Sequence, residues 1–198
     1  MFARRGYLFN QENNMSYKTP LSTASSPGII TPGTNLSVTA GVLNVVPIAL
    51  FDQAYFYSTV TQTNPIASTT NIISFNNGPI GLGITLQLGT QLTVSRTANY
   101  NLQFTAQVDK TDGGDDLIDF WIVRNGTNYS DSNSQSVVIG AVGVLVASWN
   151  FTLALTAGDY VEIAWSSADT AMRLLTVPAQ VGPVRPVTPS VRCTIIQL

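Results

Sequence analysis

The sequence predicts an all-β protein, a jelly-roll β-sandwich of about ten strands, on three observations. From residue 51 onward, β-branched and aromatic residues alternate with Thr, Ser, Asn and Gln, the two-residue period of half-buried strands. No stretch sustains the 3.6-residue period of an amphipathic helix. Turn residues recur at short intervals, at Asn76-Asn77-Gly78-Pro79, Leu88-Gly89-Thr90, Asn125-Gly126 and Ala157-Gly158-Asp159, which is the punctuation of a sandwich. Strands are expected over 54–62, 70–76, 82–88, 91–96, 99–108, 116–124, 134–139, 144–155, 159–167, 172–178 and 190–198.

The chain divides into three parts. Residues 1–35 read as an extended N-terminal arm, with Pro20, Pro27, Pro32 and an SSPG turn but no periodic apolar face; such arms order against a partner or stay mobile. Arg4 and Arg5 are followed by no apolar run, so a cleavable signal peptide is not expected. Met15 opens MSYKTPLS, a second plausible translation start. Residues 36–50 read as a short β-hairpin or shaft-like segment. The pattern G-x-x-L-x-V-x-x-G-x-L-x-V from Gly33 to Val45 resembles the stacked shaft repeats of trimeric viral fibres, although a single copy also fits a plain hairpin. Residues 51–198 form the head. Within it, VVIGAVGVLVASW (137–149) is too short to span a bilayer and reads as two strand segments joined across Gly140 and Gly143.

Composition excludes several function classes. Charged residues make up 10% of the chain, against roughly 25% in an ordinary soluble domain. A surface so poor in charge points to burial in an oligomer or larger assembly. The net charge is −2 and the nine basic residues are scattered, so no nucleic-acid footprint exists. Histidine is absent, which removes Ser-His-Asp and Cys-His catalysis and any His-bearing zinc site. Cys193 alternates with Val191 and Ile195 and reads as a small core residue. Trp121, Trp149 and Trp165 fall mid-strand and are expected in the core.

One stretch concentrates charge. VDKTDGGDDLIDFW (108–121) carries Asp109, Asp112, Asp115, Asp116 and Asp119, five of eleven acidic residues. A glycosidase carboxylate pair is rejected, because no raised carboxyl in an aromatic cleft can be inferred. Calcium is the sharper alternative, with Asp109, Asp112 and Asp115 as candidate ligands, although the glycine comes too early for an EF-hand loop and no glutamate closes it. The plainer reading is a hairpin turn at Asp112-Gly113-Gly114-Asp115, its carboxylates solvated and partly answered by Lys110 and Arg124. The five N-x-S/T sequons arise readily in so Asn-, Ser- and Thr-rich a chain.

Three segments carry a family resemblance. They are TANYNLQFTAQV (97–108), LTAGDYVEIAW (155–165) and the closing PSVRCTIIQL (189–198), with DFWIVRNGT (119–127) between the first two. Together they resemble the globular head of the complement and tumour-necrosis-factor superfamily, in the variant found in phage and large-virus virion proteins. Asn99 stands where that family usually has glycine, and the closing strand lacks the Phe-Gly-Phe of the animal proteins, which argues against receptor signalling. The resemblance implies a ten-stranded TNF-like jelly roll that forms homotrimers with aromatic residues along the threefold interface. In the run Tyr55-Phe56-Tyr57 at least one ring points away from the core, so Tyr55 and Tyr57 are the candidate interface anchors, a strand buried on both faces being the other reading.

The expected function is that of a non-enzymatic virion structural protein, a fibre or spike knob or capsid-decoration subunit anchored to other virion proteins by its N-terminal arm. Alternatives are a single jelly-roll capsid or penton subunit, and a host glycan- or receptor-binding module. For binding, the loops 109–116 and 125–134 are the candidates, with Asp112, Asp115, Asp116 and Asn128 at their tips. No cofactor is expected beyond calcium, and neither nucleic acid nor membrane is expected as a partner.

Overall fold

The computed structural model describes residues 16–17, 30–31, 36–39, 42–45, 51–140 and 143–198. Contacts divide the chain into two units, Met1–Leu50 and Phe51–Leu198. In the first, Ser16–Tyr17 pairs antiparallel with Ile30–Thr31, and Leu36–Thr39 pairs antiparallel with Val42–Val45. Otherwise the arm expected over 1–35 lies outside the described residues, as does the possible second start at Met15.

The second unit is built on ten principal strands. They are β1 (Gln53–Ser58), β2 (Asn77–Leu82), β3 (Ile84–Gln87), β4 (Gln91–Val94), β5 (Ala98–Lys110), β6 (Asp116–Arg124), β7 (Ser134–Val138), β8 (Val144–Leu155), β9 (Tyr160–Ser167) and β10 (Val191–Gln197). One sheet runs β2-β1-β10-β5-β8 and the other β3-β4-β9-β6-β7. Short strands extend each to seven: Met172–Leu174 pairs β5 and Gln62–Thr63 in the first, while Thr127–Asn128 pairs β6 and Asn71–Ile72 pairs β9 in the second. The chain changes sheet at β2–β3, β4–β5, β5–β6, β7–β8, β8–β9 and β9–β10. That weave is a jelly-roll sandwich, the ten-stranded TNF-like form implied by the resemblance.

Alternation builds the core. Along β5, Tyr100, Leu102, Phe104, Ala106 and Val108 are buried, and Ile118, Phe120 and Ile122 answer them from β6. Each of the Leu, Val, Ile and Phe side chains contributes about 1.5–3 kcal/mol through its burial. Phe104 and Phe120 meet between the sheets at 5.5 Å, with Trp149 of β8 against both at 5.8 and 5.3 Å. Cys193 is buried, and burial pushes its thiol well above the usual range.

The strands expected over 54–62 and 172–178 are shorter, Gln53–Ser58 and Met172–Leu174, and the structure departs from expectation in three further places. The turn expected at Asn76–Pro79 is instead the start of β2, which pairs with β1 from Asn77 to Leu82. Proline is tolerated there because β2 is an edge strand. Its glycines are required by proximity: a Cβ on Gly81, whose φ is +146°, would lie 2.0 Å from the Gln53 carbonyl oxygen. The strand expected over 70–76 shrinks to Asn71–Ile72. Of the three tryptophans only Trp165 is fully buried; Trp149 is partly buried against the core, and Trp121 faces outward on β6, half-buried.

Candidate functional site

The acidic stretch straddles the β5–β6 connection. β5 continues two residues past Val108, to Lys110, and residues 111–115 of the turn are exposed. Gly114 has φ +105°, a conformation that suits glycine. Lys110 ends the inward-facing row of β5, and its side chain is completely buried. Its ammonium donates to the Gly114 carbonyl and, at 2.6 Å, to Asp116 Oδ2. A buried ammonium needs such a partner.

The five aspartates do not form one site. Asp109 points the other way, where its Oδ2 accepts from Arg173 Nε at 2.8 Å and Nη2 at 2.5 Å. Asp115 Oδ1 accepts the Gly140 N–H at 2.8 Å. Asp119 Oδ1 accepts from the side-chain amides of Asn133 and Gln135 at 3.0 and 3.1 Å. Asp112 and Asp116 instead gather with Asp169, which follows β9, their carboxylate oxygens lying within 4.8 Å of one another. The candidate calcium trio Asp109, Asp112 and Asp115 is therefore not brought together, because Asp109 and Asp115 are committed to Arg173 and Gly140. Asp169 is far away in sequence, and nothing local in the chain marks it. The Lys110 ammonium already supplies a positive charge to this cluster.

Nor do the candidate tip residues share a tip. Asp112, Asp115 and Asp116 lie at the start of β6 and Asn128 beyond its end, and nine extended residues separate the two by about 30 Å. Arg124 sits at that far end too, so it does not answer the acidic turn. Its Nη2 donates to Asp159 Oδ2 at 2.6 Å, while Asn125 Nδ2 donates to Asp159 Oδ1 at 2.7 Å. The Thr156 N–H reaches Oδ2 at 2.8 Å. Asn125, the Thr156 amide and Arg124 hold the Asp159 carboxyl below its usual range. Asn125 and Gly126 both take positive φ, 48° and 77°, as a tight hairpin turn requires.

Tyr55 and Tyr57 occupy the outward positions of β1, between buried Ala54, Phe56 and Ser58. Their rings stack at 5.5 Å. Ile80 pairs beside Tyr55 on β2, and Thr194 and Arg192 pair beside Tyr55 and Tyr57 on β10. Exposed Ile80, Leu82, Ile196, Val144 and Val146 share this outer face. Among the described residues its outward strand positions carry only Arg192 and the Asp109–Arg173 ion pair as charges.

A second polar centre was not singled out from the sequence. Asp52 is buried; its Oδ2 accepts from Ser95 Oγ at 2.7 Å, and the Tyr100 hydroxyl lies 3.1 Å from it and 2.9 Å from the Arg96 carbonyl. Burial, reinforced by the Asp52 charge, pushes the Tyr100 phenol up to about 12. The phenol thus stays protonated and donates. This is a structural clasp at the start of the head.

No family model matches the chain, and no curated protein does. Crystal structures of murine APRIL are similar in fold. The one at pH 5.0 is 11% identical over 75% of this chain and 100% of that one, with a TM-score of 0.48. Those at pH 8.5 and pH 8.0 are 12% and 14% identical over the same shares, each with a TM-score of 0.49. At these identities the likeness is one of fold.

Proposed function

We propose that the chain is a non-enzymatic virion structural protein, a fibre or spike knob or capsid-decoration subunit, whose head associates into a homotrimer and whose N-terminal arm anchors it to the particle. The observation that carries the reading is the outer face of the first sheet. A surface spanning five principal strands, rich in amides and hydroxyls, with two stacked tyrosines and five exposed aliphatic side chains, is poorly suited to lone exposure to water. Aromatic anchors with few charges are what interface centres contain. The low charge of the whole chain supports the same reading, and the sequence resemblance supplies the virion setting and the threefold symmetry. Against enzymatic activity stand the absence of histidine and the engagement of most of the clustered aspartates by structural partners.

Light scattering on the purified full chain tests the assembly. A particle of three times the 21.2 kDa chain mass is expected, and the double substitution Tyr55→Asp, Tyr57→Asp should reduce it to a folded monomer. A wild-type chain that remains monomeric overturns the reading.

A further inference from the structure

We propose that the cleft over Trp121, on the outer face of the second sheet, is a binding site for neutral saccharides. It does not depend on the assembly reading, which uses the opposite face of the sandwich. The cleft has a volume of about 790 Å³ and is lined by Asp119, Trp121, Asn128, Tyr129, Asn133 and Ser166, among others. It is a shallow, solvent-open surface cleft.

Strand register assembles it. Phe120 and Ile122 point into the core, so Asp119 and Trp121 point out, and Asp119 pairs beside Ser166 on β9 and Gln135 on β7. The segment after Thr127–Asn128 then folds back along β6. The Tyr129 N–H bonds the Ile122 carbonyl at 2.8 Å, and buried Ser132 accepts the Ile122 N–H at 3.0 Å. Backbone hydrogen bonds and register therefore hold the lining in place, the pre-organisation that a binding site needs.

The free chemistry matches a sugar. Trp121 Nε1 donates to Asn128 Oδ1 at 2.9 Å. That bond engages the indole's one polar group, so Trp121 offers the cleft an apolar ring. It also engages the Asn128 carbonyl oxygen and leaves the amide N–H groups as donors. Asp119 Oδ1 takes both neighbouring amides, whereas Oδ2 takes no protein hydrogen bond among the described residues. An aromatic surface flanked by a fixed carboxylate acceptor and an amide donor suits a pyranose. Such a ring presents an apolar C–H face together with hydroxyls that both donate and accept.

Charge narrows the class. Asp119 and Asp131 line the cleft and no Lys or Arg does, so sialylated, sulfated and phosphorylated ligands meet repulsion. A second cleft of about 520 Å³ adjoins the first and shares Asn128, Tyr129 and Asp131 with it, which gives room for more than one ring. Its arginine, Arg124, is already paired with Asp159.

The test titrates the full chain with the methyl glycosides of galactose, glucose, mannose and N-acetylglucosamine, and with lactose and maltose. Saturation-transfer NMR and tryptophan fluorescence read binding, with sialic acid and choline as comparison ligands. At least one neutral saccharide should bind at millimolar concentration. Trp121→Ala and Asp119→Asn should each weaken it by about tenfold or more, which is about 1.4 kcal/mol, with unchanged melting temperatures. If Trp121→Ala fails to fold, the near-isosteric Asp119→Asn and the exposed Asn128→Ala decide. Binding by none of the neutral probes overturns the proposal. So does binding that these variants leave intact, or binding confined to sialic acid or choline.

Discussion

The two ends of β6 both gather charge, and they handle it differently. At its C-terminal end Asp159 has a guanidinium, a side-chain amide and a backbone N–H on its two oxygens. At its N-terminal end Asp112, Asp116 and Asp169 crowd within 4.8 Å, and of the three Asp116 alone pairs with the buried Lys110 ammonium. The first is a satisfied carboxylate that ties two hairpins together. The second is a cation held by its surroundings, with acidic residues in excess around it. A density of aspartates therefore says little about structural weight. The single Asp159 closes a network, while several of the clustered five act separately.

Lys110 should show the largest effect. Replacing it with Ala removes a fully buried stem and leaves Asp116 and the Gly114 carbonyl without their ammonium. Removing one partner of a buried pair costs about 3–5 kcal/mol; because Asp116 is 29% exposed and can be partly hydrated, the lower figure is expected. Urea unfolding of the chain measures it. Lys110→Met keeps the stem and should recover part of the loss. Equal stability of wild type and Lys110→Ala would break the contrast between the two ends.

Asp159→Asn comes next, at about 2 kcal/mol near pH 7, since hydrogen bonds to a charged group contribute more than neutral ones. The folded carboxyl lies below the unfolded value of 3.8. Its contribution is therefore complete above 3.8 and is lost as pH falls through the lower folded value. The stability difference between wild type and Asp159→Asn should be flat from pH 7 to about pH 5 and shrink below pH 3.8. Melting curves across that range measure it. A difference that persists at low pH would mean that the charge of Asp159 contributes nothing.

Much of the head was legible in the sequence, because clean alternation and conventional turns mark its strands. β6 and β8 run over the very residues expected, 116–124 and 144–155. β2 was hidden, because Asn76-Asn77-Gly78-Pro79 reads as a turn, and only pairing with β1 reveals that Asn77–Leu82 fills an edge. The site was less legible. In Asp119-Phe120-Trp121 two aromatics must face opposite ways, but composition does not say which enters the core. Arg124 is close to the acidic turn in sequence, but the length of extended β6 places it at the far end. Asp169 reaches the cluster only because β9 pairs with β6 along its length.

The smallest effect, and the one most diagnostic of the acidic end, belongs to Asp112. It is exposed in the turn, and no hydrogen bond fixes its side chain among the described residues. Its carboxylate lies within 4.8 Å of two others, Asp116, which already holds the Lys110 ammonium, and Asp169. Like charges at that spacing repel, while exposed ion pairs contribute little. Asp112→Asn should therefore leave stability unchanged or raise it by about 0.5 kcal/mol. Any gain should fade in high salt, which screens exposed charges. Urea midpoints at low and high salt, each with calcium and with a chelator, separate repulsion from ligation. A loss of stability in Asp112→Asn that appears only when calcium is present would make the cluster a cation site, with Asp169 in place of Asp109.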